Sequence, residues 1–361
     1  MWLASALKRA RAAAGSWLKP LAWRWARGRD SGPRVNYASA AADKVGGPST
    51  KFRSLTRRFP HVEKGFNILY SFNADNTPAR LCRMAKRAGI PIVYNANGVH
   101  IKAGLVEDWQ EENERRRGVF EMADYVLFQS EFSRECHRRF IAEASCPSEV
   151  LYNAVDCRQF SPAAARPERP LTLLSTARFR DLHRLLPLLD ACAILKHKMQ
   201  DMRFIVAGPF LRMRDEACIR YSCRRLGIDG QVEIRGPYIR EDAEAVFRSA
   251  DVYVHAKQVD ACPNAVIEAM ACGLPVVCTS SGGTPELVGD GEGGICVPCE
   301  MNYDVLQFPE PELIAEAVLK VAADLDGFAK RARERAVRLF DIEKWYARHE
   351  EVFTELLEGR S

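Results

Sequence analysis

Two acids in this chain are spaced to hold one polar ligand. Asp260 ends an apolar run and its loop, and Glu268 follows after seven spacers, inside a helical pattern that begins near Asn264. A carboxylate accepts two hydrogen bonds in a fixed geometry, which suits neighbouring hydroxyls of a sugar or a ribose. Between the acids, the backbone N–H groups of Ala265 and Val266 fall in the first helical turn, where no intrahelical acceptor exists. Those donors and the helix dipole together make an anion site natural for a diphosphate. The same spacing also describes an ordinary solvated helix start with two surface acids, so further residues must decide.

Such groups need a rigid frame, and the chain supplies an alternating one. Strands are expected over residues 66–72, 91–94, 125–129 and 149–153, with helices over 78–88, 107–122 and 130–144, the last opened by Ser130 as N-cap. The Pro-rich, charged stretch 161–170 has no periodicity and reads as a linker. Beyond it the alternation restarts, with strands over 171–176, 203–207, 232–235, 252–255 and 275–278. Helices are expected over 183–198, 216–226, 241–249, 265–272 and 284–288. Strand–helix alternation means parallel sheets, and two such α/β domains leave a cleft between the carboxyl edges of their strands. Residues 29–50 read as a polar, Gly/Ser-rich stretch.

The segment around the acids resembles the donor-binding signature of glycosyltransferase family four, in which an acid, seven residues and a glutamate precede an Ala-Met-Ala-x-Gly-x-Pro-Val run. Here that run is Ala269 to Val276, and the likeness continues through Ser281-Gly282-Gly283-Thr284-Pro285-Glu286-Leu287-Val288. Family members usually have Glu where this chain has Asp260. They also bind the donor phosphates with an Arg and, six residues later, a Lys or Arg, just after the first strand of the C-terminal domain; Arg178 and Arg184 have that placement. In the first half, Ala123-Asp124-Tyr125-Val126, Tyr152-Asn153-Ala154-Val155-Asp156 and Phe160-Ser161-Pro162 follow the family's pattern. Gly46-Gly47-Pro48 resembles its glycine loop, where the missing Cβ lets a ligand approach the backbone. Where many members have a His-Gly pair, this chain has Asn97-Gly98, with His100 three residues after Asn97.

The resemblance implies the GT-B fold: two Rossmann-like domains facing across a cleft, at 31–162 on the acceptor side and 163–340 on the donor side. A last helix within 341–361 crosses back to the first domain. It further implies metal-independent, retaining transfer from a nucleotide-diphosphate sugar to a glycan or lipid-linked acceptor, as in cell-surface polysaccharide or glycolipid synthesis, with no cofactor. Arg178, Arg184 and the helix start at Ala265 would meet the leaving diphosphate. Asp260 and backbone near Cys262 and Asn264 would hold the sugar, Glu268 the ribose, and the loop at Gly236 and Tyr238 the base. Two other readings are a nucleotide-sugar epimerase on the same fold and a catalytically silent sugar-nucleotide scaffold.

Composition fits this frame. The 361 residues are 47% hydrophobic and 27% charged, with a net charge of +5. Residues 1–30 hold seven basic residues against Asp30 alone, giving +6, so the other 331 sum to −1. A near-neutral body argues against nucleic acid, and the basic excess belongs to the leader. That leader reads as two amphipathic helices whose Trp2, Trp17 and Trp25 oppose Lys8, Arg9, Arg11 and Lys19. The pattern suits an anionic membrane surface through residues 1–27, on the cytoplasmic side. No run is long enough to span a bilayer. Twelve cysteines without a repeated spacing read as reduced thiols. Gly289–Gly294 fits G-x-G-x-x-G but lacks a strand before and a helix after, so it reads as a turn. Asp324-Leu325-Asp326 sits in a late helical region and is expected to hold no metal.

Overall fold

The computed structural model describes residues 32–38, 47–72, 77–104, 106–166, 168–180, 182–199 and 201–359. The leader 1–30 and Gly46 lie outside the described residues. Two parallel sheets with interleaved helices make up the described chain.

The first sheet runs in chain order: β1 (Val35–Asn36), β2 (Ile68–Phe72), β3 (Ile92–Ala96), β4 (Tyr125–Phe128) and β5 (Ser148–Val150). Its helices are α1 (Gly47–Arg58), α2 (Ala79–Arg87), α3 (Trp109–Phe120) and α4 (Glu131–Phe140). Every residue of β2 is buried, because both faces are covered. Ile68, Tyr70 and Phe72 pack with Phe52 and Leu55 of α1 on one face. Leu69, Ile92 and Tyr94 pack with Cys82 and Ala85 of α2 on the other. Since β1, β2 and β3 advance in one direction, crossovers on opposite faces have opposite hands. One of the two is therefore the uncommon left-handed kind. Its consequence is that α1 runs under the face away from α2, with its first turn at the strand carboxyl edge.

The second sheet holds β6 (Thr172–Thr176), β7 (Arg203–Ala207), β8 (Val232–Arg235), β9 (Val252–His255), β10 (Val276–Thr279) and β11 (Gly294–Val297), in the order β11-β10-β9-β6-β7-β8. The chain leaves β6 toward β8, then returns to lay β9 against β6. That reversal opens a crevice at the carboxyl ends of β6 and β9, where ligands of open α/β sheets bind. One face is covered by α5 (Leu186–Lys198), α6 (Met213–Leu226) and α10 (Pro311–Ala323). The other is covered by α7 (Ala243–Arg248), α8 (Asn264–Ala271), α9 (Thr284–Val288) and α11 (Leu325–Leu339). The last helix, α12 (Ile342–Glu358), leaves this unit and packs Trp345 and Phe353 on the first sheet. Its Tyr346 hydroxyl donates to Ser54 O at 2.9 Å.

Between the sheets, the described residues of 161–171 form no regular element, yet they are tied down. Arg248 donates to Ser161 O at 2.7 Å, and the buried Asp251 carboxylate takes Arg166, Arg169 and the Thr172 amide at 3.0, 3.1 and 2.8 Å. The clearest departure from expectation is α1, which begins inside the stretch read as polar. Its Lys51, Arg53, Arg57 and Arg58 hide a stripe of only Phe52 and Leu55. Gly289–Gly294 is a turn closing on β11, with Glu292 N bonded to Gly289 O at 2.7 Å. Asp324 stands just before α11 and pairs with Arg331 at 3.1 Å. Among the described residues, no helix is long and apolar enough to cross a membrane.

Candidate functional site

Arg178 and Asp260 follow the two strands that flank the reversal. Arg178 stands two residues beyond β6, on backbone pinned by Ala177 N to Ala207 O at 3.2 Å and Phe179 N to Pro209 O at 2.9 Å. Its guanidinium is exposed and makes no ion pair among the described residues. Arg184, in the turn before α5, buries an Nε that has no partner among the described residues. Such a donor costs about 1–3 kcal/mol unless something fills it.

Asp260 is already engaged. Its Oδ2 accepts from Lys257 Nζ at 2.8 Å and lies 3.9 Å from His255 Nε2. Burial pushes the carboxyl up, but Lys257, His255 and Arg184 together hold it below its ordinary value. Burial pushes the His255 imidazole down to about 4, so it is neutral at pH 7. Glu268, on α8, is 6% exposed and accepts from Arg240 Nη1. Burial raises its carboxyl, and Arg240 offsets only part of that rise. Arg240 itself lies 4.8 Å from the Phe160 ring centre.

Cys262 is buried, and burial pushes its thiol up to about 12, which leaves it a protonated packing group. Its carbonyl accepts from Asn153 Nδ2 at 2.8 Å, tying the loop to the segment that follows β5. The expectation for Val266 needs correction. Its N–H already donates to Pro263 O at 3.1 Å, and its side chain is core, so it is not an open anion donor. The Asn264 and Ala265 amides have no backbone acceptor among the described residues, and Asn264 Oδ1 is buried without a partner.

The glycines hold the loop closed. Gly282 has φ +76°, and a Cβ there would lie 2.6 Å from Gln258 O. A Cβ on Gly283 would lie 2.0 Å from Ala261 O, and its N–H donates to Asp260 O at 2.8 Å. Gly236 follows β8, with nothing near the place a Cβ would take, and Tyr238 is partly buried against the core cluster that includes α8.

Across the cleft, Lys51 of α1 is 4% exposed. Its Nζ donates to Asn95 Oδ1 at 2.6 Å, to Asn97 Oδ1, and to Gln129 Oε1 at 3.4 Å. These three amides stand at the carboxyl edge of β3 and β4. No carboxylate pairs with Lys51 among the described residues, and burial pushes its ammonium down to about 7, with Cys262 opposing. His100 is placed otherwise than Asn97: its ring meets Arg116 Nη2 at 2.8 Å and its backbone is held by Asn113 of α3. Gly47 opens α1. A cavity of about 240 Å³ separates the halves, with Gly98, Gln129 and Ser133 on one wall and Lys257, Asp260 and Ala261 on the other.

The halves also touch. Glu286 of α9 accepts the Glu131 and Phe132 amides at 2.7 Å each, so an acid of one domain caps α4 of the other. The Ala103 N–H donates to Tyr303 O at 2.8 Å.

The strand reversal thus brings together Arg178 and Arg184, which form no ion pair among the described residues, the half-buried Asp260 and the buried Glu268. Residues 158–327 match the family glycosyl transferases group 1. The group 1 match covers β6 to β11 and every donor-side residue above. An Escherichia coli (strain K12) protein bearing the name colanic acid biosynthesis glycosyltransferase WcaL is 30% identical over 170 residues, 44% of this chain and 41% of that one. The D-inositol 3-phosphate glycosyltransferase of Mycobacteroides abscessus is 28% identical over 268 residues, 69% of this chain and 57% of that one. The chain thus spans about half the length of the curated relatives it matches. Among solved structures, Anabaena HepE with UDP and glucose aligns with a TM-score of 0.64 at 18% identity, covering 86% of this chain and 82% of that one. Sucrose-phosphate synthase from Thermosynechococcus elongatus aligns with a TM-score of 0.67 at 17% identity, covering 85% and 77%. The fold is the GT-B arrangement of two facing α/β domains.

Lys51, Lys257, His255 and Arg240 were not singled out in the sequence. Lys257 is the most legible, standing three residues before Asp260. Lys51 gives no local signal, because its amide partners lie 44, 46 and 78 residues away.

Proposed function

We propose that this chain transfers a sugar from a nucleotide-diphosphate sugar to a glycan or lipid-linked acceptor, with retention at the anomeric carbon and without a metal. The observation that carries the reading is the meeting of Arg178 and Arg184, neither paired with an acid among the described residues, with Asp260 and Glu268 at one strand reversal. As the glycosidic bond breaks, charge grows on the diphosphate. Two guanidiniums and the open amides at the start of α8 meet that charge. Glu268 exchanges Arg240 for the ribose hydroxyls, and the free oxygen of Asp260 takes a sugar hydroxyl while Lys257 holds the other. Tyr238 flanks the base. No side chain here is a nucleophile: the Cys262 thiol stays protonated and faces packing. The acceptor hydroxyl attacks from the same face as the leaving diphosphate, which takes its proton.

HepE is crystallised with UDP and glucose, and the colanic acid protein is named for polysaccharide biosynthesis, which makes UDP-sugars the first donors to try and a cell-surface polysaccharide or glycolipid the first acceptor class. The basic leader would hold the enzyme at the cytoplasmic face of a membrane. Liposome flotation of the full chain against one lacking residues 1–30 tests this, and equal flotation rules it out.

The deciding experiment incubates the protein with a panel of nucleotide sugars in the presence of a chelator and follows products by NMR. A released sugar or glycoside in the donor's own anomeric configuration supports the reading. An altered sugar still on its nucleotide means an epimerase, and binding without turnover means a scaffold.

A further inference from the structure

The outward side of α6 is unlike a solvated helix face. Ile219 and Cys223 bury its inner side against the second sheet. At about 100° per residue, Met213, Ala217 and Tyr221 fall on one line along the opposite side. Met213 is 93% exposed and Tyr221 62%, and the exposed Leu211 carries the line into the preceding loop. Large apolar side chains grouped on an outermost ridge add nothing to the core and mark a contact surface. That side is also basic. Residues 211–225 hold five arginines against Asp215 and Glu216, a net of +3, whereas residues 31–361 together sum to −1. Asp215 is buried and Glu216 is taken up by Arg220 at 2.8 Å, so neither acid offsets Arg212, Arg224 or Arg225, which form no ion pair among the described residues. On the helical projection Arg214 and Arg225 flank the apolar line on one side and Arg220 on the other.

We propose that this ridge of α6 is a contact surface for an anionic lipid bilayer, separate from the leader. A convex line of apolar side chains encloses no small ligand, but it enters the boundary between headgroups and acyl chains while flanking guanidiniums stay at the lipid phosphates. The local surplus of positive charge on a body that is otherwise slightly acidic selects an anionic partner over a neutral one. The ridge also begins at the cleft: Leu211 N donates to Phe179 O at 3.0 Å, beside Arg178. A bilayer seated on α6 therefore adjoins the carboxyl edge of the second sheet. The inference does not depend on the glycosyl-transfer reading.

The test uses the full chain with a probe on Cys218, the one exposed cysteine of the twelve, three residues before Tyr221. An environment-sensitive fluorophore there shifts to the blue and is quenched by nitroxide lipids on phosphatidylglycerol–phosphatidylcholine vesicles, and does neither on phosphatidylcholine alone. Met213→Asp/Tyr221→Asp changes exposed side chains only, so it keeps its melting temperature, loses the quenching and needs at least about tenfold more anionic lipid for half-maximal flotation. Arg224→Glu/Arg225→Glu weakens flotation to a similar degree. Wild type that floats with its probe unquenched touches lipid through another surface, the leader first, and this overturns the inference. So does a wild type that does not float, or a variant that floats and quenches as wild type does. A blue shift that needs no lipid and grows with protein concentration would mean that two copies of the chain meet here instead.

Discussion

The two walls of the cleft handle charge in opposite ways. On the donor side the charged groups are many and mutually arranged: Lys257 neutralises Asp260, Arg240 neutralises Glu268, and Arg178 and Arg184 are left over. The surplus there is positive and partly open, as an incoming diphosphate requires. The first domain's wall has two buried cations among the described residues: Lys51, held by neutral amides, and Arg116, which donates to Gly98 O at 2.9 Å. One wall carries surplus positive charge at the strand reversal, and the other surrounds its buried cations with neutral dipoles.

Four outcomes sharpen or break that contrast. The largest concerns the loop that shapes the donor wall. Gly283→Ala drives a Cβ into the Ala261 carbonyl, 2.0 Å away on the ideal geometry. The expected cost is about 3 kcal/mol or more, read as a collapse of the thermal unfolding midpoint. Acid comes next. His137 and His349 in the first domain and His255 in the cleft are all pushed by burial to about 4, below the ordinary 6.5. Their folded-state values are depressed, so the unfolded chain binds more protons between those limits. The stability they contribute is complete above about pH 6.5 and is lost as pH falls toward 4. A few kcal/mol is expected to go between pH 7 and 5, with the first domain, holding two of the three, loosening first by hydrogen exchange.

Third, Arg184→Ala lowers turnover about 100-fold, near 2.7 kcal/mol of lost stabilisation of the leaving group, with little change in melting temperature. If turnover were unchanged, the donor wall would not be receiving charge there. The smallest is Glu286→Gln, which keeps one oxygen for the α4 amides and loses the charge on the helix dipole. About 1 kcal/mol of stability is expected to be lost in urea titration.

The donor wall was legible in the sequence because its chemistry is local. Asp260, Glu268 and Gly282-Gly283 fall within 24 residues, and the strands beneath them are short continuous apolar runs. Strands 203–207, 232–235 and 252–255 and helix 284–288 have the expected bounds. The first domain resisted for a physical reason. Its α1 buries two apolar side chains among basic ones, so neither period nor composition marks it, and Lys51 meets its partners only after three strands have paired. The same distance hid Glu286, which sits in a readable motif but works by capping a helix 150 residues earlier in the chain. Val266 failed in the other direction: its place in the first turn was right, and a single carbonyl from Pro263 removed its role.

The central claim is that the carboxyl edge of the second sheet binds a diphosphate through guanidiniums that form no ion pair among the described residues. Calorimetric titration of wild type and of the Arg178→Ala/Arg184→Ala variant with nucleoside diphosphates, UDP first, measures this directly. Saturable binding to wild type, weakened at least about tenfold in the folded variant, is the result expected. Equal affinity in the two proteins, or no nucleoside diphosphate bound by wild type, would contradict it.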